Sequence, residues 1–469
     1  MSAAGGPFAS SVGIGRAEPE WAALNEVSGE CGFDALHGKL SSAVTESGER
    51  ILDIGAPVEL PYDVTSGEAA LSSLEEEFDV LIVGAGLSGA TIAERCSNEL
   101  NMKVLLLDKR DHLGGNCYDY VTEHGIRASK YGAHLFHTNN ERVWSYVQKF
   151  SEWMPFDHRV RGRVCDLQGK EQLVPIPPTQ ATVNSLFGAK ITSEQEMEAW
   201  YESQRFKPSG EVRNGEEAAL SRVGPLLYEC IFKHYTKKQW DKYPEELDAS
   251  VLMRLPCRVS TDDRYFSDRW QALPKRGYTR IFENMLLDNP KITVRLNCDF
   301  FALKARGQLP KHKFLVYTGK IDSYYASVGM KALEYRSLRF EEEYIPDIPG
   351  GFFQEAMVVN YPSPSEAFTR IVEYKHTPNQ PPCRHSQPGT LIAREYSCAT
   401  GEPYYPVPNQ ENQELYEEYS RLASREKEVV FVGRLASYKY FNMDQAILNA
   451  LEMFDTLKST GNFVSKTSI

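Results

Sequence analysis

The stretch Phe78–Gly89, FDVLIVGAGLSG, constrains the fold more than any other part of the chain. Six almost wholly apolar residues, Phe78–Val83, suit a strand buried on both faces of a parallel sheet. Gly84, Gly86 and Gly89 follow in G-x-G-x-x-G spacing, and Ala90–Leu100 reads as a helix. In such a unit the first glycine permits the tight turn and the second lets backbone approach a pyrophosphate. The third lets helix pack close to strand. The helix N-terminus adds unpaired N–H groups and the positive end of a dipole. A second strand, Lys103–Leu107, ends at Asp108, placed to accept hydrogen bonds from a ribose. Strand, glycines, helix, strand and terminal acid in this order predict a dinucleotide-binding unit. A glycine-rich turn in an ordinary α/β sheet would leave Asp108 unexplained.

A chain of 469 residues, 42% hydrophobic and 25% charged, has room for two or three domains of ordinary globular make-up. No run of 18 apolar residues occurs, so neither a membrane span nor a membrane partner is expected. Residues 1–77 hold 3 Lys/Arg against 14 Asp/Glu and so carry −11 of the chain's −12. The acidity therefore belongs to an N-terminal extension, expected to be loosely ordered, and says little about the ligand. A nucleic-acid partner is not expected. Nine cysteines without a C-x-x-C pair predict free thiols in a reducing, cytoplasmic setting and no metal site.

Beyond the first unit the patterns alternate. KYGAHLFHTN (Lys130–Asn139) places His134 and His137 among glycine and aromatics, and Glu141–Phe150 looks helical. His158–Val174 alternates apolar and polar residues as a hairpin does. Residues 180–250 have helical periodicity, with a helix expected over Pro225–His234. Asn289–Leu303 and Lys313–Lys320 return to strand-like runs, and Val429–Ile447 repeats the strand–glycine–helix theme. The expected fold class is α/β: a Rossmann-like FAD-binding domain (78–150, 271–345 and 427–469) with a helical domain inserted at 176–250.

These stretches together resemble the UDP-galactopyranose mutase family, in its prokaryotic-type wording. The likeness runs from about Phe78 to Phe454. It is carried by the glycine motif, LLLDKRDHLGGNCYD (Leu105–Asp119), KYGAHLFHTN, YTKKQW (Tyr235–Trp240) and RLPCRVSTDDRYF (Arg254–Phe266). FTRIVEYKH (Phe368–His376), REYS (Arg394–Ser397) and GRLASYKYFNMDQAI (Gly433–Ile447) complete it. The resemblance implies an isomerase that interconverts UDP-galactopyranose and UDP-galactofuranose on reduced FAD, whose N5 attacks the anomeric carbon and expels UDP. An external reductant, NAD(P)H or another, is then required. UDP-galactose is the expected small-molecule partner, and a homo-oligomer is left open.

The resemblance also implies a mobile lid on the helical domain (176–250), an antiparallel β-sheet substrate domain (151–175, 251–270 and 346–426), and roles for single residues. Arg254 and Arg370 clamp the pyrophosphate, as guanidinium can with two forked bonds, and with His137 they form the expected catalytic set. Tyr265, Tyr396 and Tyr440 donate to phosphate; Phe232 and Tyr235 form a platform for uracil, and Gln239 makes a polar contact to it. Trp240 lies on the closing loop, and Asn360 meets the uridine end. The FAD is met by Gly84, Gly86, Gly89, Asp108, Lys109, Gly115, Asn116, His134, Arg434 and Asn442. Asn442 stands where part of the family has Asp, so a carboxylate base is not expected there. Two rival readings stay open at this level. One is an FAD oxidoreductase of the amine oxidase or desaturase kind, which has no use for a diphosphate clamp. The other is a non-catalytic nucleotide-sugar binder.

Overall fold

The computed structural model describes residues 41–44, 50–53, 77–208, 210–253, 256–382 and 384–460. Ser41–Val44 and Arg50–Asp53 pair antiparallel within a first unit, Met1–Val58. All that follows lies in the second unit, Glu59–Ile469. The loose ordering expected of residues 1–77 otherwise falls outside the described residues, as does Arg254.

Five parallel strands form the nucleotide sheet in the order Ile292–Arg295, Val104–Leu107, Phe78–Val83, His312–Tyr317, Val429–Phe431. The glycine-motif strand is central, so side chains on both its faces are covered. Strand alternation assigns each to a layer. Val80, Ile82, Val104 and Leu106 pack beneath the helices Leu87–Leu100, Tyr278–Leu286 and Met443–Thr460. Leu81, Leu105 and Leu107 meet Phe300, Leu303, Ile321 and Tyr419 on the other side. Each fully buried side chain of this size contributes roughly 1.5–3 kcal/mol. Gly84, Asp108, Thr318 and Gly433 follow within two residues of four adjacent strand ends. They define the carboxyl edge, where open α/β sheets bind ligands.

A second sheet runs in the order Glu171–Ile176, Val160–Cys165, Val358–Asn360, Arg370–Glu373, Thr390–Cys398, Tyr335–Ile345, Tyr405–Pro406. Five of its six pairings are antiparallel; Val160–Cys165 runs parallel to Val358–Asn360. Phe136–Thr138, Trp270–Pro274 and Trp153–Pro155 form a small antiparallel sheet. Helices Gln180–Phe187, Glu194–Gln204, Gly215–Leu227 and Lys233–Trp240 cover the seven-stranded sheet. Met197, Tyr201, Val223 and Leu227 share one core with its Val160, Val358, Val372 and Ala393. Ser193 and Asn214 cap two of these helices, accepting from the Glu196 and Glu217 amides at 3.2 and 3.0 Å.

Two expectations are corrected. Tyr335–Ile345, assigned to the nucleotide domain, lies in the seven-stranded sheet, its residues 337–345 pairing with Thr390–Cys398 and its first two with Tyr405–Pro406. Its alternation and length suit either sheet, and partner availability decided. Helix Gln410–Ala423, assigned to the sheet domain, buries Tyr419 and Ala423 against the nucleotide sheet. The helix expected over Pro225–His234 is present: it begins just after Gly224, which adopts φ 76° and ψ 173°, takes a π-type turn at Tyr228–Phe232, and continues to Trp240.

Candidate active site

A cavity of about 700 Å³ opens at the carboxyl edge of the nucleotide sheet. Gly84, Gly86, Asp108, Lys109, Gly115, Asn116, His134, Arg434 and Asn442 all line it; Gly89 lies behind, in the first turn of helix Leu87–Leu100. Each glycine has a distinct reason. A Cβ on Gly84 would stand 2.1 Å from Thr318 Oγ1, and one on Gly89 would stand 1.9 Å from the Gly84 carbonyl oxygen. A Cβ on Gly86 meets nothing nearer than Gly115 Cα at 3.8 Å. The Gly86–Gly115 pair therefore forms a cradle that methyl groups would fill. No acid occupies the first turn of helix Leu87–Leu100, so its positive end faces the cavity uncompensated. Asp108 is fixed by the Ala85 and Arg110 amides, which donate to its two oxygens at 2.8 and 2.9 Å. Lys109 and Arg110 reach across to Glu402 at 2.7 and 3.4 Å.

Beyond His134 a second group of side chains gathers on the seven-stranded sheet. Asn360 pairs with Arg370, and Arg370 with Glu395, so the three share one face. Arg370 Nε donates to Glu395 Oε2 at 2.6 Å, and Glu395 is 1% exposed. Its other oxygen is buried with no hydrogen-bond partner among the described residues. Helix Lys233–Trp240 sets Tyr235 beside this row. Burial pushes its phenol up, Arg370 opposes, and Tyr265, Glu395 and Tyr440 add to the rise, so the hydroxyl stays a neutral donor. Tyr405 and Tyr440 stack at 5.2 Å, and Trp240 leans on both at 6.2 and 6.3 Å. The Arg434 guanidinium lies 5.7 and 5.4 Å from the two ring centres. It also donates to the carbonyls of Phe441 and Tyr404, so it braces these loops as well as lining the cavity.

Several assigned residues sit differently from expectation. Tyr396 neighbours Glu395 on one strand, so it points to the opposite face from Arg370. There its hydroxyl donates to Glu341 at 2.6 Å, and Arg339 stacks on its ring at 4.0 Å. Tyr405, missed in the sequence, holds the inward position instead. Its neighbour Tyr404 and the turn between two strands gave no period from which to choose it. Glu395 was also missed, although REYS contains it. We expect Tyr396→Phe to leave turnover within about twofold, whereas Tyr405→Phe should lower kcat/KM at least about tenfold, as loss of one donor to a charged group does. Equal effects in steady-state assays would put Tyr405 outside the site. Phe232, assigned to a platform for uracil, is 7% exposed within the core shared by helices and sheet. Trp240, expected on a loop, is the last residue of its helix and is buried. The backbone carbonyl of Gln239 accepts from Ser397 Oγ at 2.5 Å and Arg336 Nε at 3.3 Å, which leaves its side-chain amide free for the expected polar contact.

The histidines separate. His134 Nδ1 lies 2.8 Å from the Gly132 carbonyl, which only accepts, so Nδ1 carries the proton. Burial pushes its pKa down to about 4, with Arg434 and Arg370 adding to the fall, and leaves Nε2 an acceptor. His137 is not on the cavity wall; its Nδ1 faces Asp268 at 2.9 Å and its ring stacks on Phe266 at 3.7 Å. His158, which the sequence did not single out, packs against Tyr265 and Phe266 at 5.6 and 6.0 Å. It is 4% exposed, and its pKa falls to about 3 through burial, Arg370 and His137. The folded pKa lies below the unfolded value, near 6.5, so the unfolded chain binds the proton first. The stability linked to this neutral imidazole is thus complete above about pH 6.5 and lost as pH falls towards about 3, on the order of 5 kcal/mol in all. Urea unfolding at pH 7 and about pH 4.5 should show part of that loss, reduced in His158→Gln; equal loss in both proteins would contradict it.

No group of three or more His, Cys, Asp or Glu among the described residues could hold a metal ion, and no helix among them is long and apolar enough to cross a membrane. Seven cysteines among the described residues are free thiols. The fold and the two adjoining sites define a dinucleotide-binding α/β protein with an arginine- and aromatic-rich pocket beside the dinucleotide cleft. Residues 82–150 match an NAD(P)-binding Rossmann-like domain, and residues 230–440 match the family model described as UDP-galactopyranose mutase. The chain is 38% identical over 387 residues to a probable UDP-galactopyranose mutase of Klebsiella pneumoniae, covering 81% of this chain and 95% of that one. It is 35% identical over 381 residues to a dTDP-fucopyranose mutase of Escherichia coli, covering 80% and 96%. A crystal structure of reduced UDP-galactopyranose mutase superposes with a TM-score of 0.64 at 16% identity, covering 82% of this chain and 95% of that one. A putative protoporphyrinogen oxidase from Exiguobacterium superposes at 0.56 and 12% identity over 81% and 98%, so the fold is shared with oxidases. The chain belongs to the UDP-galactopyranose mutase family, which is a family of isomerases.

Proposed function

We propose that the protein is an FAD-dependent mutase interconverting UDP-galactopyranose and UDP-galactofuranose. The observation that carries this reading is the position of Arg370. It is held by Glu395 within a cluster of Tyr235, Tyr405 and Tyr440, and its charge also acts on His134 in the cofactor cavity. A permanent cation at the junction suits a diphosphate that must stay bound while it leaves the sugar.

The residues present fit FAD. The Gly86–Gly115 cradle and the acid-free helix start suit its pyrophosphate, and Asp108 suits its ribose. Bound there in reduced form, the flavin would supply N5 as the nucleophile for the anomeric carbon, with no net redox change. The chain's own part is to bind and orient. Arg370 and, by the resemblance, Arg254 hold the departing diphosphate, and the tyrosines donate to it. Tyr235 offers its ring to the base, and Asn360 a polar contact at the same end. The neutral His134 accepts a hydrogen bond at Nε2 beside the cofactor. His137, oriented by Asp268, stands ready to respond to the redox state of the cofactor. An external reductant such as NAD(P)H and a cytoplasmic setting follow from this reading.

The likeness to dTDP-fucopyranose mutase makes the same ring exchange on a thymidine nucleotide the second reading. One experiment addresses both. Flavin-loaded protein is reduced with dithionite and given UDP-galactofuranose or dTDP-fucofuranose, and products are separated by chromatography. UDP-galactopyranose formed only when the flavin is reduced is the expected result. Faster conversion of the thymidine sugar would favour the second reading. No conversion of either, with oxygen consumed on amines, would leave an oxidase.

A further inference from the structure

Lys238, on helix Lys233–Trp240, makes an unusual set of bonds for a lysine. Its ammonium is enclosed by backbone carbonyls: it donates to Ser363, Phe368 and Glu366 at 2.8, 2.9 and 3.1 Å, and also to Tyr361. All four belong to the loop that joins Val358–Asn360 to Arg370–Glu373. The loop thus begins just after Asn360 and ends just before Arg370. Lys238 itself lies three residues after Tyr235 and two before Trp240, on the same short helix. One cation therefore ties the aromatic helix to the loop between two of the polar residues of the substrate pocket. No carboxylate contributes to the cage, as Glu366 offers only its carbonyl, and burial pulls the amine down to about 8. A surface lysine held for stability alone has cheaper partners, as Lys237 next to it shows by bonding Asp241 at its own helix end.

The helix continues from the π-type turn Tyr228–Phe232, which itself comes shortly after the non-helical Gly224. Its C-terminal end is also clasped where the Gln239 carbonyl accepts from Ser397 and Arg336, and Trp240 is buried in the shared core.

We propose that Lys238 is a positioning residue for nucleotide binding: its carbonyl cage sets the spacing between Tyr235 and Trp240 on one side and Asn360 and Arg370 on the other. This rests on the nucleotide-sugar reading of the pocket. The test is UDP binding by calorimetry to the flavin-loaded full chain. Lys238→Met should raise Kd for UDP at least tenfold with flavin content unchanged, and Lys237→Met should leave Kd within twofold. Unaltered UDP affinity in a folded, flavin-loaded Lys238→Met protein overturns the inference. Should that variant fail to fold, hydrogen exchange on the wild type decides. UDP must then slow exchange in residues 233–240 and 361–368 by a common factor, and protection of one segment without the other overturns it. Wild-type protein that binds no UDP at all would sink the functional reading, and this inference with it.

Discussion

Arg370→Ala is expected to lower kcat/KM at least about 10³-fold, the scale of losing a donor built to hold developing charge. It should also destabilise the fold. Glu395, 1% exposed, would keep a buried charge without its partner, a defect that costs about 3–5 kcal/mol. The two effects can be separated. Adding Glu395→Gln removes the stranded charge, so the double variant should regain a large part of the stability while remaining inactive. Arg370→Lys keeps a charge but not the fork, and should fold with activity reduced about 10²-fold. Urea unfolding and product chromatography on the four proteins measure both quantities. Recovery of activity along with stability in the double variant would mean that Arg370 serves only to neutralise Glu395.

The second large effect lies in the glycine motif, where two alanine substitutions of equal size should fail for different reasons. In Gly89→Ala the new methyl would stand 1.9 Å from the Gly84 carbonyl oxygen, and neither backbone segment can yield without separating helix from sheet. A loss of at least about 3 kcal/mol is expected, the upper range for overpacking, with little folded protein recovered. In Gly86→Ala the methyl meets only Gly115 Cα at 3.8 Å, so the fold should keep its thermal midpoint. Its cost falls on the ligand, since the methyl occupies the cradle, and the purified protein should carry little flavin by absorbance. A Gly86→Ala protein with full flavin would show that the cofactor does not approach the backbone there.

These expectations show how unevenly the chain could be read. The first βαβ unit was legible because its signals are local. An apolar run, three glycines and a terminal acid lie within 31 residues, and each acts on a neighbour along the chain. The hairpin within His158–Val174 was legible for the same reason. Strand Tyr335–Ile345 was not, because alternation identifies a strand without naming the sheet that accepts it. The π-type turn inside the helix expected over Pro225–His234 escaped as well, since helical periodicity does not tell an i→i+5 turn from an i→i+4 one.

The substrate pocket drew the sharper line. The sequence by itself determined a dinucleotide unit, a family resemblance, and the presence of Arg370, Tyr235, Trp240 and Tyr440 in specific motifs. Only the tertiary structure decided that Glu395, not Tyr396, faces Arg370, that Tyr405 joins Tyr440, and that Lys238 grips the loop before Arg370. The reason is geometric. A period of two says that Glu395 and Tyr396 point opposite ways, but which of them meets Arg370 depends on the register between strands. That register is set by contacts between residues far apart in the chain.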